Sequence, residues 1–568
     1  MEIRNKRRSD LRLEQFTIRK YRSIEDITIK MPKNKPLILF GPNNAGKSNI
    51  LSAIDRILGE KYPTYIDVED SDYFMRDKIN NPTIDINATF DSVYYTDRYK
   101  TQKSYNEIFL TYGYRGQLNE NLIHDGNGNK FSISNDARAK FQSFLLDADR
   151  SINFHFNYSN KYSLLSKFNK SLHNSLTDDE KETLSRSYND ILNVFEQKSE
   201  FYDMFSIFKD TVEGSIKGFT HHLEADMSAY DPNNFAKNLR INACEGNEIR
   251  SFNEFGTGEQ QILLMAFAKA YMEAFQQNDF LLILEEPEAN LHPLAQKWLK
   301  KYIYDLCKSG LQIIISTHSP NFINPSNLEG LVRVYKEEGI TKSKQIDSKE
   351  LEQVLIDTGV PKDKISSDNL GDYFDLRLYA EQFEGLFAET VILVEGLTEK
   401  LALPIWLERK GYYLPSNGVE IVNCMGKANI PTLYRLYKSY GYRCICIFDG
   451  DIRKGCTDEK NRLLENTLED FKEEKIFSED CKGYHPYITG SNFLCFGKDY
   501  EDTIKHQIGE NAYNELYEEA TFNHIEGKQG KAKYIAINSK EVPNCIDKII
   551  KILENDNTNY INEFKPSF

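Results

Sequence analysis

A chain of 568 residues exceeds what one hydrophobic core can serve, because cores stop growing at roughly 250–300 residues, so two or three domains are expected. With 40% hydrophobic and 28% charged residues the composition is that of a soluble globular protein, no run approaches the roughly 18 apolar residues of a membrane span, and the charged start Met1-Glu2-Ile3-Arg4 leads into no signal-peptide core. A cytoplasmic protein without a membrane partner is therefore expected. The formal net charge of −15 rules out a generally basic surface, so any nucleic acid must bind along a local basic stripe, with metal help and marked salt sensitivity. Nine cysteines without a Cys-x-x-Cys pair read as reduced thiols, Cys444 and Cys446 sharing one strand face.

The segment Phe16 to Met31 reads as short strands with a turn, followed by a buried strand over Pro36 to Phe40. That strand delivers Gly41-Pro42-Asn43-Asn44-Ala45-Gly46-Lys47-Ser48-Asn49. Its glycines let the backbone fold tightly, so that the N–H groups from Asn43 to Asn49 and the following helix N-terminus face the phosphates of ATP. Lys47 then reaches the β- and γ-phosphates, and Ser48 ligates Mg²⁺. Asn49 to Leu58 has apolar residues at helical spacing and stops at Gly59, whereas Ile84, Ile86, Ala88 and Phe90 alternate as in a half-buried strand. Strand, loop and helix are the context that a phosphate-binding loop requires. Residues 150–245 turn polar and helical, as over Asp178 to Lys198, and show no chemical motif. They read as an insertion carrying dimer or partner contacts, which divides an ATPase head into residues 1–149 and 246–334.

Phe255-Gly256-Thr257-Gly258-Glu259-Gln260-Gln261 precedes an apolar helix and resembles the signature loop of ABC-type ATPases, in which one subunit closes on the γ-phosphate bound by the other. Gly256 and Thr257 stand where Ser-Gly is usual, and a plain glycine turn is the alternative reading. The resemblance implies nucleotide contacts from Gly256, Gly258, Glu259 and Gln260, and a homodimer or higher even-numbered assembly. Next, the apolar strand Leu281 to Leu284 ends in Glu285-Glu286-Pro287-Glu288, with Glu285 placed to orient Mg²⁺ and Glu286 to polarise the attacking water. Asp is the usual first acid, so Glu285 departs by one methylene. Ile313 to Thr317 is another buried strand, ending in His318 as a γ-phosphate sensor. No glutamine after the strand at 84–90 offers itself as a metal sensor, which supports nucleotide binding more than brisk hydrolysis.

Residues 335–387 are charged and motif-poor and read as a connection. The remainder, 388–568, opens with the strand Thr390 to Val394, ending in Glu395-Gly396, with Glu399 on the first turn of the next helix. A second strand, Val419 to Val422, is followed by Gly426-Lys427, and a third, Arg443 to Phe448, ends in Asp449-Gly450-Asp451. In a parallel sheet these ends converge on one edge, where carboxylates repel one another unless divalent cations, Mg²⁺ or Mn²⁺, neutralise them.

This arrangement resembles the Toprim pattern. An ABC-type head followed by Toprim resembles the OLD (overcoming lysogenization defect) family of nucleases, which includes the Gabija nuclease and retron-associated effectors. The resemblance spans residues 11–145 and 246–568. It implies an α/β fold, a P-loop head with a helical insertion and then a Rossmann-like parallel sheet. It also implies metal ligation by Glu395, Asp449 and Asp451 with Glu399 in support, a further ligand at Glu501 and a transition-state cation at Lys531, although Ala532 stands where the family has Pro. The expected function is an ATP-controlled, metal-dependent DNA endonuclease in antiphage defence, with a possible operon-encoded partner such as a helicase-like protein or a reverse transcriptase with its RNA or DNA. A topoisomerase or primase is a second class, since both use Toprim, but a topoisomerase would need a nucleophilic Tyr in a separate DNA-cleavage domain, which no segment resembles. The alternative is an ATP-dependent scaffold holding a partner protein or RNA.

Overall fold

The computed structural model describes residues 11–59, 66–98, 101–113, 118–124, 130–132, 141–146, 164–196, 242–245, 248–251, 279–289, 291–451, 459–468, 470–471 and 487–554, with 63, 138, 260, 263, 265–267 and 270. It forms two compact units, one built on Leu146–Asp279 with Ala289–Ala295, the other on Asp10–Leu145, Phe280–Glu288 and Gln296–Phe568. In the first unit, α2 (Leu164–Asn174) and α3 (Asp178–Glu196) are helical as their sequence suggests, and β9 (Asn242–Glu245) pairs with β10 (Glu248–Ser251) as a separate hairpin.

The strands β1 (Leu13–Tyr21) and β2 (Ile24–Lys30) form the opening hairpin, Phe16 opposite Ile29 and Ile18 opposite Ile27, so alternate apolar side chains enter one core. β3 (Leu37–Phe40) is apolar throughout and fully buried, as befits a strand covered on both faces. It feeds α1 (Lys47–Leu58), whose Ile50, Leu51, Ile54 and Ile57 pack inward at helical spacing. The antiparallel run continues through β4 (Ile84–Arg98), β5 (Thr101–Tyr112), β6 (Leu118–His124) and β7 (Lys130–Ser132), and β8 (Phe141–Leu146) lies at the far edge. With β11 (Asp279–Glu285), β12 (Gln312–Thr317), β13 (Leu331–Glu337) and β14 (Ile340–Gln345) the sheet reads β7-β6-β5-β4-β1-β2-β14-β13-β3-β12-β11-β8. Its centre, β13-β3-β12-β11, is parallel, with α4 (Pro293–Lys308) between β11 and β12 in the chain, which brings the C-terminal ends of β3, β11 and β12 to one edge.

The hairpin β13–β14 alters the expected division. β14 runs antiparallel to β13 and meets β2 at Thr341 opposite Ile24, so the ATPase sheet extends to Gln345 and the connection expected over 335–387 starts only after it.

A second sheet takes the order β16-β15-β17-β19-β18, from β15 (Thr390–Val394), β16 (Val419–Asn423), β17 (Arg443–Asp449), β18 (Tyr487–Thr489) and β19 (Phe493–Phe496). All neighbours are parallel except β18 with β19, and α6 (Ile430–Ser439) connects β16 to β17. Val394 lies opposite Ile447, so β15 and β17 end side by side. The ATPase sheet meets this domain at a buried junction. Arg333 of β13, 6% exposed, donates from Nη1 to the carbonyls of Tyr440 (3.1 Å) and Gly441 (2.8 Å) and lies 3.6 Å from the ring centroid of Tyr442. Phe40, the last residue of β3, packs edge-on against Tyr440 at 5.6 Å.

Candidate functional site

The loop after β3 is bent as its glycines allow. Gly41 and Gly46 have φ of 144° and 107°, and a Cβ added to them would stand 2.0 Å from the Val334 carbonyl oxygen and 2.2 Å from Thr341 Oγ1. Thr341, fully buried, donates from Oγ1 to the Ala45 carbonyl at 2.9 Å and so props the loop from β14. Lys47 is buried, and its ammonium donates to the carbonyls of Gly41 (3.0 Å) and Pro42 (2.9 Å). Burial pushes its pKa down to about 8, against the pull of Glu286, Glu288 and Glu285. Asn43, Asn44 and Ser48 are exposed along the loop, whereas Asn49 faces inward, donating to Ser23 Oγ at 2.9 Å and accepting from Arg22 at 3.2 Å.

Glu285 closes β11 opposite Ser316. Glu286 follows at a φ of 45°, a left-handed geometry that is strained for a non-glycine residue, fixed by its N–H bond of 2.9 Å to the Ser316 carbonyl. His318 Nε2 lies 3.5 Å from Glu286 Oε1, and burial, then Lys47, lower its pKa. Glu288 accepts from Thr317 Oγ1 and from the His318 N–H, both at 2.7 Å, so this third acid fixes the His318 backbone. Lys47, Glu285, Glu286 and His318 thus gather at one sheet edge. Gly256, Gly258 and Glu259 lie outside the described residues, and Gln260 is half-buried in a helical segment of the first unit.

The second group stands where β15 and β17 end. Glu395 Oε2 accepts from the Asp449 N–H at 3.4 Å. Glu399, on the first turn of α5 (Leu397–Arg409), accepts from the Gly396 N–H at 3.0 Å, and Asp449 Oδ1 accepts from the Tyr500 N–H at 2.9 Å. Tyr500 begins α7 (Tyr500–Ile508), which also carries Glu501. Burial, then the charges of Glu399, Glu395 and Glu501, push Asp449 up to about 9. Glu399 rises to about 7 for the same reasons, burial first. Glu395 is raised by burial too, against the pull of Lys427.

Two expected members point elsewhere. Asp451, at a φ of 51°, pairs with the Lys427 ammonium at 2.6 Å. Lys427 is 1% exposed and also donates to Asn461 Oδ1 at 3.1 Å, while Asn461 Nδ2 donates to the Gly450 carbonyl at 3.2 Å. Lys531, expected beside the carboxylates, instead donates to Thr521 Oγ1 at 2.7 Å and lies over the Tyr517 ring. The lysine at the carboxylates is Lys528, one helical turn earlier on α9 (Lys528–Asn538), which reaches Glu501 at 2.7 Å and lowers the pKa of Asp449.

Two known domain families match parts of this chain. Residues 12–124 and 94–323 match the AAA ATPase domain, and residues 386–451 match the overcoming lysogenization defect protein-like TOPRIM domain. The chain belongs to the AAA ATPase domain family and is similar to the OLD family. It is 26% identical over 496 residues to the OLD nuclease of Thermus scotoductus, covering 83% of this chain and 88% of that protein. It is 28% identical over 210 residues to the Old nuclease of Escherichia phage P2, covering 36% and 34% of the two. A solved SMC head bound to the C-winged helix domain of ScpA is 16% identical with a TM-score of 0.34, over 60% of this chain and 99% of that one.

Nucleotide and divalent metal use in general go with the two domains of this chain. Among the described residues no three carboxylate, imidazole or thiol groups already converge as an ion cage. The donor chemistry nevertheless fits a hard divalent ion: Glu399 and Asp449 are buried, Glu395 is half-buried, the three carboxylates repel one another, and a cation would relieve them. Sequence reasoning missed Glu288, Thr341, Lys427, Asn461 and Lys528. Only Lys427, beside a glycine at a strand end, carried a local signal.

Proposed function

We propose that this protein is an ATP-controlled, divalent-metal-dependent DNA endonuclease acting in antiphage defence. The observation that carries the reading is the cluster of half-buried Glu395 with buried Glu399 and Asp449 at adjacent parallel strand ends, flanked by Glu501 and by the cations Lys427 and Lys528. Structural carboxylates are rarely left buried and mutually repelling, and such perturbation marks sites of chemistry. Glu395, Glu399 and Asp449 would hold Mg²⁺ or Mn²⁺, with Glu501 and Asp451 joining once they exchange their lysine partners. Metal bound there supplies an activated water and charge neutralisation at the leaving oxygen. Lys528 neutralises charge on the phosphate, and Lys427 holds the Asp449-Gly450-Asp451 turn through Asp451 and Asn461.

In the ATPase head Lys47 leaves the loop carbonyls for the β- and γ-phosphates, Ser48 and Glu285 hold the nucleotide's metal, and Glu286 beside His318 polarises the attacking water. A homodimer places ATP between heads, and an operon-encoded partner tunes cutting. The test is plasmid cleavage by the purified full chain with Mg²⁺ or Mn²⁺, with and without ATP. Cleavage that disappears in Glu395→Ala with ATP binding intact supports the reading. Cleavage at the wild-type rate in that variant, or none by the wild type under any metal and nucleotide, would sink it and favour a scaffold.

A further inference from the structure

Lys528 and Lys531 lie three residues apart on α9, hence on one face, with about 5–6 Å between their Cβ atoms. Their surroundings differ. Lys528 pairs with Glu501 of the carboxylate cluster, whereas the Lys531 ammonium sits 3.8 Å from the Tyr517 ring centroid and donates to Thr521 Oγ1 at 2.7 Å. Tyr517 in turn stacks on Tyr513, with ring centroids 6.3 Å apart and planes 22° from parallel. Tyr513, Tyr517 and Thr521 fall at i, i+4 and i+8 of α8 (Glu510–Phe522), and Tyr513 is buried where the charges of Glu501 and Asp499 reach its hydroxyl. This row leads from the carboxylates to Lys531 and fixes its ammonium in place.

A free lysine side chain samples many rotamers, and ordering it beforehand removes much of that entropic cost from ligand binding. An ammonium has three N–H donors, and Thr521 takes one. Exposed Glu515, Glu518 and Glu519 on α8 repel a polyanion, which leaves the Lys528–Lys531 edge of α9 as the local track for one. The two lysines stand about one helical turn apart on α9, a step of about 5 Å along the helix that is on the scale of the advance between successive phosphates of one strand. Resting on the nuclease reading above, we propose that Lys531 is a substrate-binding residue that grips the DNA phosphate next to the scissile one, which Lys528 faces.

The test uses the full chain, binding a short fluorescein-labelled DNA duplex in EDTA across a salt series, followed by cleavage kinetics with Mn²⁺. Lys531→Met should weaken binding, reduce the slope of log K against log salt by about 0.9, and raise KM with kcat unchanged. Tyr517→Leu keeps the charge but removes its perch, so it should raise KM with the slope nearly intact. Mn²⁺ binding by calorimetry should match the wild type in both variants. A wild-type slope and KM in Lys531→Met overturn the proposal, as does a collapse of kcat with binding retained, which would place Lys531 at the reacting phosphate. A slope that falls as expected in a protein that cuts no DNA supports the phosphate site and rejects the nuclease reading instead.

Discussion

Glu285, Glu286 and Glu288 all act upon Lys47, which spends its donors on loop carbonyls. Lys47→Ala should abolish ATP binding in a calorimetric titration, because no neighbour can supply a charge to the β- and γ-phosphates. Glu286→Gln should instead bind ATP normally and hydrolyse it more slowly, and equal loss of affinity in both variants would contradict the separate roles. In the second site the sign of the pH effect follows from Asp449. Its pKa rises from 3.8 to about 9 on folding, so its ionisation stabilises the unfolded chain more than the folded one. That contribution is nil below 3.8, grows increasingly unfavourable as pH climbs, and levels off above about 9. Melting followed in EDTA should therefore show Asp449→Asn more stable than the wild type at alkaline pH, by at least ~1 kcal/mol or about 2–4 °C, with the gap closing towards pH 4. A gap that widens on acidification would refute the assignment.

At the scale of elements, the strands ending in chemistry were the legible ones. Leu281 to Glu286, Ile313 to His318, Thr390 to Glu395 and Arg443 to Asp449 each join an apolar run to a polar end, a pattern complete within one stretch of chain. The hairpin β13–β14 was not, because β14 alternates only weakly, with Thr341 its one fully buried residue among Lys342, Ser343 and Lys344. Its role is set by a partner some 300 residues away in sequence, since Thr341 bonds to Ala45 and Ser23. The choice between Lys528 and Lys531 was equally hidden. Both lie in one polar stretch, and only the packing of α9 against α8 decides which lysine reaches Glu501. Gly46→Ala tests the contact of loop with hairpin. Its Cβ would fall 2.2 Å from Thr341 Oγ1 at a backbone angle that alanine avoids, so ATP affinity should drop at least about tenfold, and Thr341→Ser should restore little of it. Unchanged affinity would show that the loop is not held by β14.

For the whole molecule, the signature-like stretch from Gly256 to Gln260 has a use beyond a turn only if a second head presents it to the nucleotide. Light scattering at micromolar concentration should therefore give an even-numbered oligomer, and a monomer both with and without ATP would count against it. Within the second unit the junction at Arg333 matters for a different reason. Phe40 leads directly into the phosphate loop and touches Tyr440, Arg333 caps the carbonyls of Tyr440 and Gly441, and Tyr442 leads into the strand that ends at Asp449. Anyone wishing to graft this nuclease-like domain onto another motor, or to express it by itself, would have to redesign that seam. A cut at the chain's apparent linker severs no peptide of the junction, yet it strips the cover from Tyr440 and Tyr442 and leaves two backbone carbonyls without their guanidinium. The halves of this protein are exchangeable only as a matched pair.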